Sequence, residues 1–269
     1  DYMSPIMETI LSGALKNDYR VPLEKMMPSF AKLKTAEDVQ LAYAEVSTMM
    51  EFLMETKGEK IFPLLLADLA EGKGFEESFI ERTGANISKF QINWETWVKK
   101  RELNHISGII PLTKEFKNKN SLEPKKDFKG MSSRRAQDWT FLGDILKSRQ
   151  HYSAAILEYR KAKEESTTHS PILFNKLAGT YIQTRKYEDA ELLLKESLEY
   201  YSDFHTTLAN LGELYFLSKR YEKAVQYFEK AVRINPFNPF IHVRLIELYD
   251  RMKMPEKKKL QNQLFSFIN

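Results

Sequence analysis

Five histidines, no cysteine and 37 carboxylates bound the chemistry open to this chain of 269 residues. His105, His151, His169, His205 and His242 each lack a partner three or four residues away, and no His-Glu-x-x-His run occurs, so the two imidazoles that a helix would aim at one zinc ion are missing. The absence of cysteine removes disulfides, thiolate zinc sites, redox motifs and thiol nucleophiles together. Gly72-Lys73-Gly74 follows a helical pattern rather than a strand, which does not suit a phosphate-cradling loop, and no Gly-x-Ser-x-Gly elbow exists. Glu76-Glu77 and Glu164-Glu165 are adjacent on helical patterns and so point to different faces, as solvated carboxylates.

The elements that would position any site are helices. Ten Gly and ten Pro are few for a sandwich or barrel with many tight turns, and no apolar run approaches membrane-spanning length, the stretch from Ile61 to Leu66 being broken by Pro63. The expectation is an all-α chain. In residues 1–103, Ser4-Pro5 opens one helix, and Thr35 with Asp38 resembles a capping box for a long one that ends at Gly58. Three shorter helices follow, the last carrying Trp94 and Trp97, which share a face. Residues 104–135 carry eight basic and three acidic side chains with neither a helical nor a strand period, and read as a basic linker. Acids interrupt that run and no aromatics alternate with its lysines, which argues against a nucleic-acid arm.

Residues 136–269 repeat. Counting from Ala136, positions 4, 7, 8, 20, 24 and 27 hold Trp139, Leu142, Gly143, Ala155, Tyr159 and Ala162. From Pro171 and from His205 the same positions return as Phe174, Leu177, Ala178, Ala190, Leu194 and Ser197, then Leu208, Leu211, Gly212, Ala224, Phe228 and Ala231, with Tyr181 and Tyr215 at position 11. This resembles the tetratricopeptide repeat, in which small residues at 8 and 20 let two helices approach and large ones fill between hairpins. The expected organisation is three repeats, 136–169, 171–204 and 205–238, then a degenerate fourth, 239–269. In that fourth unit Lys258 occupies the small position 20, and a capping helix covers the last hairpin with Leu260, Leu264 and Phe267 while Lys257, Lys258 and Lys259 face water.

Stacked hairpins of this kind make a solenoid lined on its concave side by positions 2, 5, 9, 12 and 13 of each first helix. The candidate partner-binding residues are therefore Gln137, Thr140, Asp144, Asn175, Gln183, Glu213, Phe216 and Glu247. The lining is mildly acidic, and a protein or peptide ligand of some basic character fits it. Tetratricopeptide domains that grip terminal carboxylates use a basic and Asn clamp; only Asn175, Lys176 and Arg244 are candidates here, which does not make that clamp.

A second resemblance covers residues 1–103. Ala42-Tyr43-Ala44, Phe52-Leu53, Lys57-Gly58-Glu59-Lys60, Leu64-Leu65, Leu69, Gly72, the Phe75 to Phe79 helix, Thr83-Gly84 and Trp94 are together similar to the helical half that follows the zinc motif in gluzincin metallopeptidases. The likeness is particularly to peptidase-MA-like bacterial proteins with tetratricopeptide repeats behind the peptidase domain. It implies a C-terminal fragment of such a peptidase, with no cofactor in this chain, zinc in the parent protein, and ligands preceding Asp1. Tyr43 matches the tyrosine that donates a hydrogen bond to the oxyanion in related aminopeptidases, a role that suits a neutral donor aimed at developing charge. The alternative from another class is a non-catalytic tetratricopeptide scaffold with an accessory helical domain. Periplasm and cytoplasm are both compatible with the composition.

Overall fold

The computed structural model describes residues 3–26, 29–110, 131 and 133–268, which fall into two compact units, one ending at Ile106 and one beginning at Ser107. All regular elements among them are helical. Of the expected linker, residues 111–130 lie outside the described residues; its described ends are tied down. Asn104 Nδ2 donates to Glu8 at 3.0 Å and the Ile106 amide to Thr9 Oγ1 at 3.2 Å, in the first unit. In the second, the His169 amide donates to Gly108 O at 2.9 Å and the Ile110 amide to the Tyr201 hydroxyl at 3.0 Å.

The N-terminal unit contains α1 (Pro5–Lys16), a single turn α2 (Leu23–Met26), a 3-10 turn (Phe30–Lys32), α3 (Ala36–Lys57), α4 (Ile61–Ala70), α5 (Phe75–Thr83) and α6 (Ile87–Val98). Thr35 caps α3 by accepting from the Asp38 amide at 3.0 Å, and Gly58 ends it with φ 82°. α1 and α6 pack on α3, burying Leu11, Ala42, Trp94 and Val98 in one cluster. Both tryptophans face α3, as their spacing requires: Trp94 Nε1 donates to Thr48 at 3.2 Å and Trp97 Nε1 to Glu55 at 3.0 Å. A smaller cluster of Leu53, Ile61, Leu65 and Phe79 joins α3, α4 and α5.

The C-terminal unit is four helical hairpins: α7 (Arg134–Ser148) with α8 (Tyr152–Glu165), α9 (Pro171–Gln183) with α10 (Tyr187–Tyr200), α11 (His205–Leu217) with α12 (Tyr221–Ile234), and α13 (Pro239–Arg251) with α14 (Pro255–Ser266). Every hairpin turns through one residue in the left-handed region, Gln150, Arg185, Lys219 and Lys253, with φ between 55° and 63°. The next amide then reaches back across the turn, for example Arg220 N to Tyr215 O at 2.8 Å and Met254 N to Tyr249 O at 2.8 Å. The fourth hairpin thus closes by the same turn as the other three, although its position 20 is a lysine.

Packing within a hairpin rests on glycine beneath an aromatic ring. A Cβ built on Gly143 would lie 2.5 Å from Tyr159 Cε1, and one on Gly212 2.6 Å from Phe228 Cδ1, so only glycine lets these helices come this close. In the second hairpin Ala178 is accommodated with the slimmer Leu194 at position 24, both fully buried. Position 24 therefore fills the interior of its own hairpin. Position 11 makes the link between hairpins: the Tyr215 hydroxyl donates to Glu191 of α10 and the Tyr249 hydroxyl to Glu229 of α12, each at 2.8 Å.

Two expectations about the ends of the stack are corrected. Leu142, at the position 7 that is buried as Leu177, Leu211 and Leu245, stays 42% exposed, because α7 has no preceding hairpin among the described residues. Leu260, Leu264 and Phe267 do not cover the last hairpin; they are exposed, and α14 instead turns Gln261 inward. Gln261 Nε2 donates to His242 Nδ1 at 2.6 Å while the other ring nitrogen bonds Pro236 O at 2.8 Å, so a polar pair closes the interior there. Of the three lysines, Lys257 pairs with Glu229 and half-buried Lys258 with Asp250.

Candidate peptide-binding face of the helical repeats

The first helices of the hairpins define one face. α7 touches α9 and α9 touches α11 directly, and stacked hairpins of this kind curve toward their first helices, the side expected to be concave. All the expected lining positions fall on these helices, but several are consumed by structure. Thr140 is fully buried: its hydroxyl donates to Ala136 O at 2.7 Å, the back-bond a threonine makes within its own helix. Asn175 is also buried. Its amide nitrogen donates to Pro171 O and Thr207 Oγ1, each at 2.7 Å, and its oxygen accepts from Asn210 Nδ2 at 2.7 Å, so it cross-links successive repeats and is not open to a ligand.

The acids expected to colour this face are neutralised within the fold. Asp144 accepts from the Tyr159 hydroxyl at 2.7 Å and from Lys176 Nζ at 2.5 Å. Glu213 takes a two-pronged bond from Arg244 at 2.7 and 2.8 Å, and Arg244 and Arg251 share Glu247. A carboxylate at position 9 of one repeat is thus met by a cation at position 6 of the next, in the first and third repeats; Gly179 takes position 9 in the second. The basic ligand expected from an acidic lining loses its warrant, since the charges that would attract it are already paired. Gln137 donates to Met131 O at 3.1 Å, and the ring of half-buried Phe216 lies 4.5 Å from the Arg244 guanidinium.

What remains open has a different chemistry. Gln183 is exposed, and so are Leu217, Phe240 and Val243 on the same face. Lys147 reaches toward Gly179, where an added Cβ would lie 3.6 Å from its Nζ. Burial lowers the Lys147 pKa, Asp144 raises it and the Lys176 charge lowers it further. The sequence reading named Lys176 and Arg244 only as candidates for a carboxylate clamp and left out Lys147 and Asn210, although the 34-residue spacing of Lys176, Asn210 and Arg244 is legible. The column lies at position 6, which is not among the positions assigned to the lining, whereas Lys147 lies at position 12, which is.

In the N-terminal unit Tyr43 is half exposed on α3, its ring meeting Phe30 edge to face at 4.8 Å. Among the described residues no three His, Asp or Glu side chains converge, and His242 has both ring nitrogens engaged.

Residues 206–238 match the tetratricopeptide repeat family. The chain is 31% identical over 96 residues to small glutamine-rich tetratricopeptide repeat-containing protein 2 of Mycosarcoma maydis, covering 36% of this chain and 27% of that protein. It is 29% identical over 93 residues to the type IV pilus assembly protein PilF of Pseudomonas aeruginosa, covering 34% of this chain and 36% of PilF. The chain thus spans about a third or less of the length of these relatives. A solved structure of Pseudomonas aeruginosa PilF is 22% identical, with a TM-score of 0.47 over 53% of this chain and 64% of that one. This is a chain with tetratricopeptide repeats in an all-helical fold. None of these matches points to a peptidase.

Proposed function

We propose that the chain is a protein-interaction scaffold whose first-helix face takes a peptide segment of a partner, the helical N-terminal unit being an accessory. The observation that carries this reading is the coexistence on one face of exposed apolar side chains, Leu217, Phe240 and Val243, with Lys147, a cation that has no hydrogen-bond partner among the described residues. Such a face suits a segment with apolar anchors and an acidic group near Lys147, not a basic one. The peptidase reading rests on the residue series in 1–103 alone, including Tyr43, and the family match supports the repeats instead.

The test places a photo-crosslinking amino acid at Gln183 or Val243 on the first-helix face and, separately, at exposed Leu192 on α10. Products with one partner protein from Gln183 and Val243 only, mapping to a single acidic-apolar segment of that partner, support the groove. Equal products from Leu192, or a segment with basic anchors, would reject it.

A further inference from the structure

The N-terminal unit contains an acid that its packing leaves unexplained. Glu45, in the middle of α3, is 1% exposed. Its Oε1 accepts from the Val21 amide at 3.3 Å, and its Oε2 is buried with no hydrogen-bond partner among the described residues. A carboxylate oxygen withdrawn from water and left bare carries its full desolvation penalty, so it calls for either a proton or a donor from outside the fold. Glu45 borders a cleft of about 350 Å³, at the small end of the range for ligand sites.

Apart from the side-chain amide of Gln91, which also lines the cleft and makes no bond to Glu45 Oε2, the neighbouring donors are already committed. The guanidinium of Arg20, the one cation on the cleft wall, pairs with Glu95 of α6. Lys99 pairs with Asp18 at 3.3 Å, the Tyr19 hydroxyl donates to Asp38 at 2.6 Å, and the Trp94 indole N–H is directed at Thr48. Three carboxylates, Asp18, Glu24 and Glu45, share the wall with that single paired guanidinium, while Val21, Met49 and Trp94 supply apolar surface. No trio of ligating side chains exists here that would hold a metal ion.

We propose that this cleft binds a small organic ammonium ion, its N–H group donating to Glu45 Oε2 and its hydrocarbon body lying against Val21, Met49 and Trp94. Such an ion supplies the missing donor and brings the charge that the wall attracts. Binding takes the ionised carboxylate. Burial, partly opposed by the Val21 amide and the Arg20 charge and reinforced by Asp38, pushes the empty site's Glu45 pKa up to about 7, so uptake of the ion near neutrality releases a proton.

The full chain, labelled with ¹⁵N, is titrated with 1-butylammonium chloride at pH 5.5 and pH 8, following the Trp94 indole resonance, with 1-butanol as the neutral match. A saturable shift with butylammonium and none with butanol is expected, with affinity about thirtyfold higher at pH 8 because Glu45 no longer has to be deprotonated. Glu45→Gln should abolish the response. Failure to saturate, an equal response to butanol, a pH-independent affinity, or retained binding in folded Glu45→Gln would each overturn the proposal. Should that variant lose its dispersed amide spectrum, the two-pH titration of the unaltered chain decides by itself.

Discussion

In the repeat unit Gly143 lies under Tyr159, and two hairpins later Gly212 lies under Phe228; the same contact is used again because the same spacing recurs. In the N-terminal unit nothing recurs. Trp94 on Thr48, Arg82 bonding Asp68 at 2.6 and 2.8 Å, and Glu45 under Val21 are each solved once. Repetition also extends to polar groups: Tyr215 and Tyr249, both at position 11, each donate to a carboxylate of the preceding hairpin, and Glu191, which burial alone would raise, is held down to about 2 by Lys195, Tyr215 and Arg220. A register that is copied must satisfy its buried groups in every copy, whereas a unit assembled from unique contacts can leave one carboxyl unsatisfied where a ligand would reach it.

The comparison breaks most readily at Ala224, which is fully buried at position 20. Ala224→Glu buries an unpaired charge and should cost about 5 kcal/mol, enough to unfold the third hairpin; urea unfolding followed by helical circular dichroism would show it. An unchanged midpoint would refute the shared register. At Lys258, the same position of the fourth hairpin, a charge is already accommodated through Asp250, so Lys258→Ala should cost under about 0.5 kcal/mol.

Next in size, Gly212→Ala drives a methyl into the Phe228 ring and should cost about 3 kcal/mol. The second hairpin suggests the remedy: Phe228→Leu recreates its alanine and leucine pair, so the double variant should recover at least about half of the loss. Additive losses in a double-mutant cycle would show that the hairpins are not interchangeable.

In the N-terminal unit the expected effect depends on pH. The folded-state pKa of Glu45, about 7, lies above its unfolded value, so its proton favours the folded state. That contribution is complete below about pH 4.5 and is lost as pH rises through 7, for a total of about 3 kcal/mol. Hydrogen exchange of the α3 amides should therefore slow from pH 8 to pH 5 after correction for intrinsic rates, and Glu45→Gln should flatten the dependence. A pH-independent opening free energy in the unaltered chain would remove Glu45 as its source.

The smallest effect belongs to the hairpin turns. Lys219 holds φ 60°, where a side chain is strained and glycine is not, so Lys219→Gly should raise stability by about 1 kcal/mol, read as a higher thermal midpoint. A lower midpoint would show that the Lys219 side chain contributes more than its strain costs.

Asn175 and Glu213 illustrate how sequence and structure divide the site. Both residues lie on the face that the 34-residue period identifies, but Asn175 holds Thr207 and Asn210, and Glu213 holds Arg244. Changing them would loosen the stack before it reported on a ligand. Lys147→Glu with Gln183→Ala is the cleaner probe of partner capture.

The sequence by itself determined the helices, the repeat register and which residues share the first-helix face, because these follow from local spacing: an amphipathic period, a capping threonine, a glycine facing an aromatic sixteen positions on. It did not determine which groups on that face are free. Asp144 meets Lys176, and Glu213 meets Arg244, across 32 and 31 residues of chain, and these pairings exist only once the hairpins stack. Glu45 was overlooked for the same reason. On a helical wheel it is one more acid in an amphipathic helix; only the tertiary fold lays Val21 over it, commits Arg20 and the Trp94 indole elsewhere and leaves one oxygen bare.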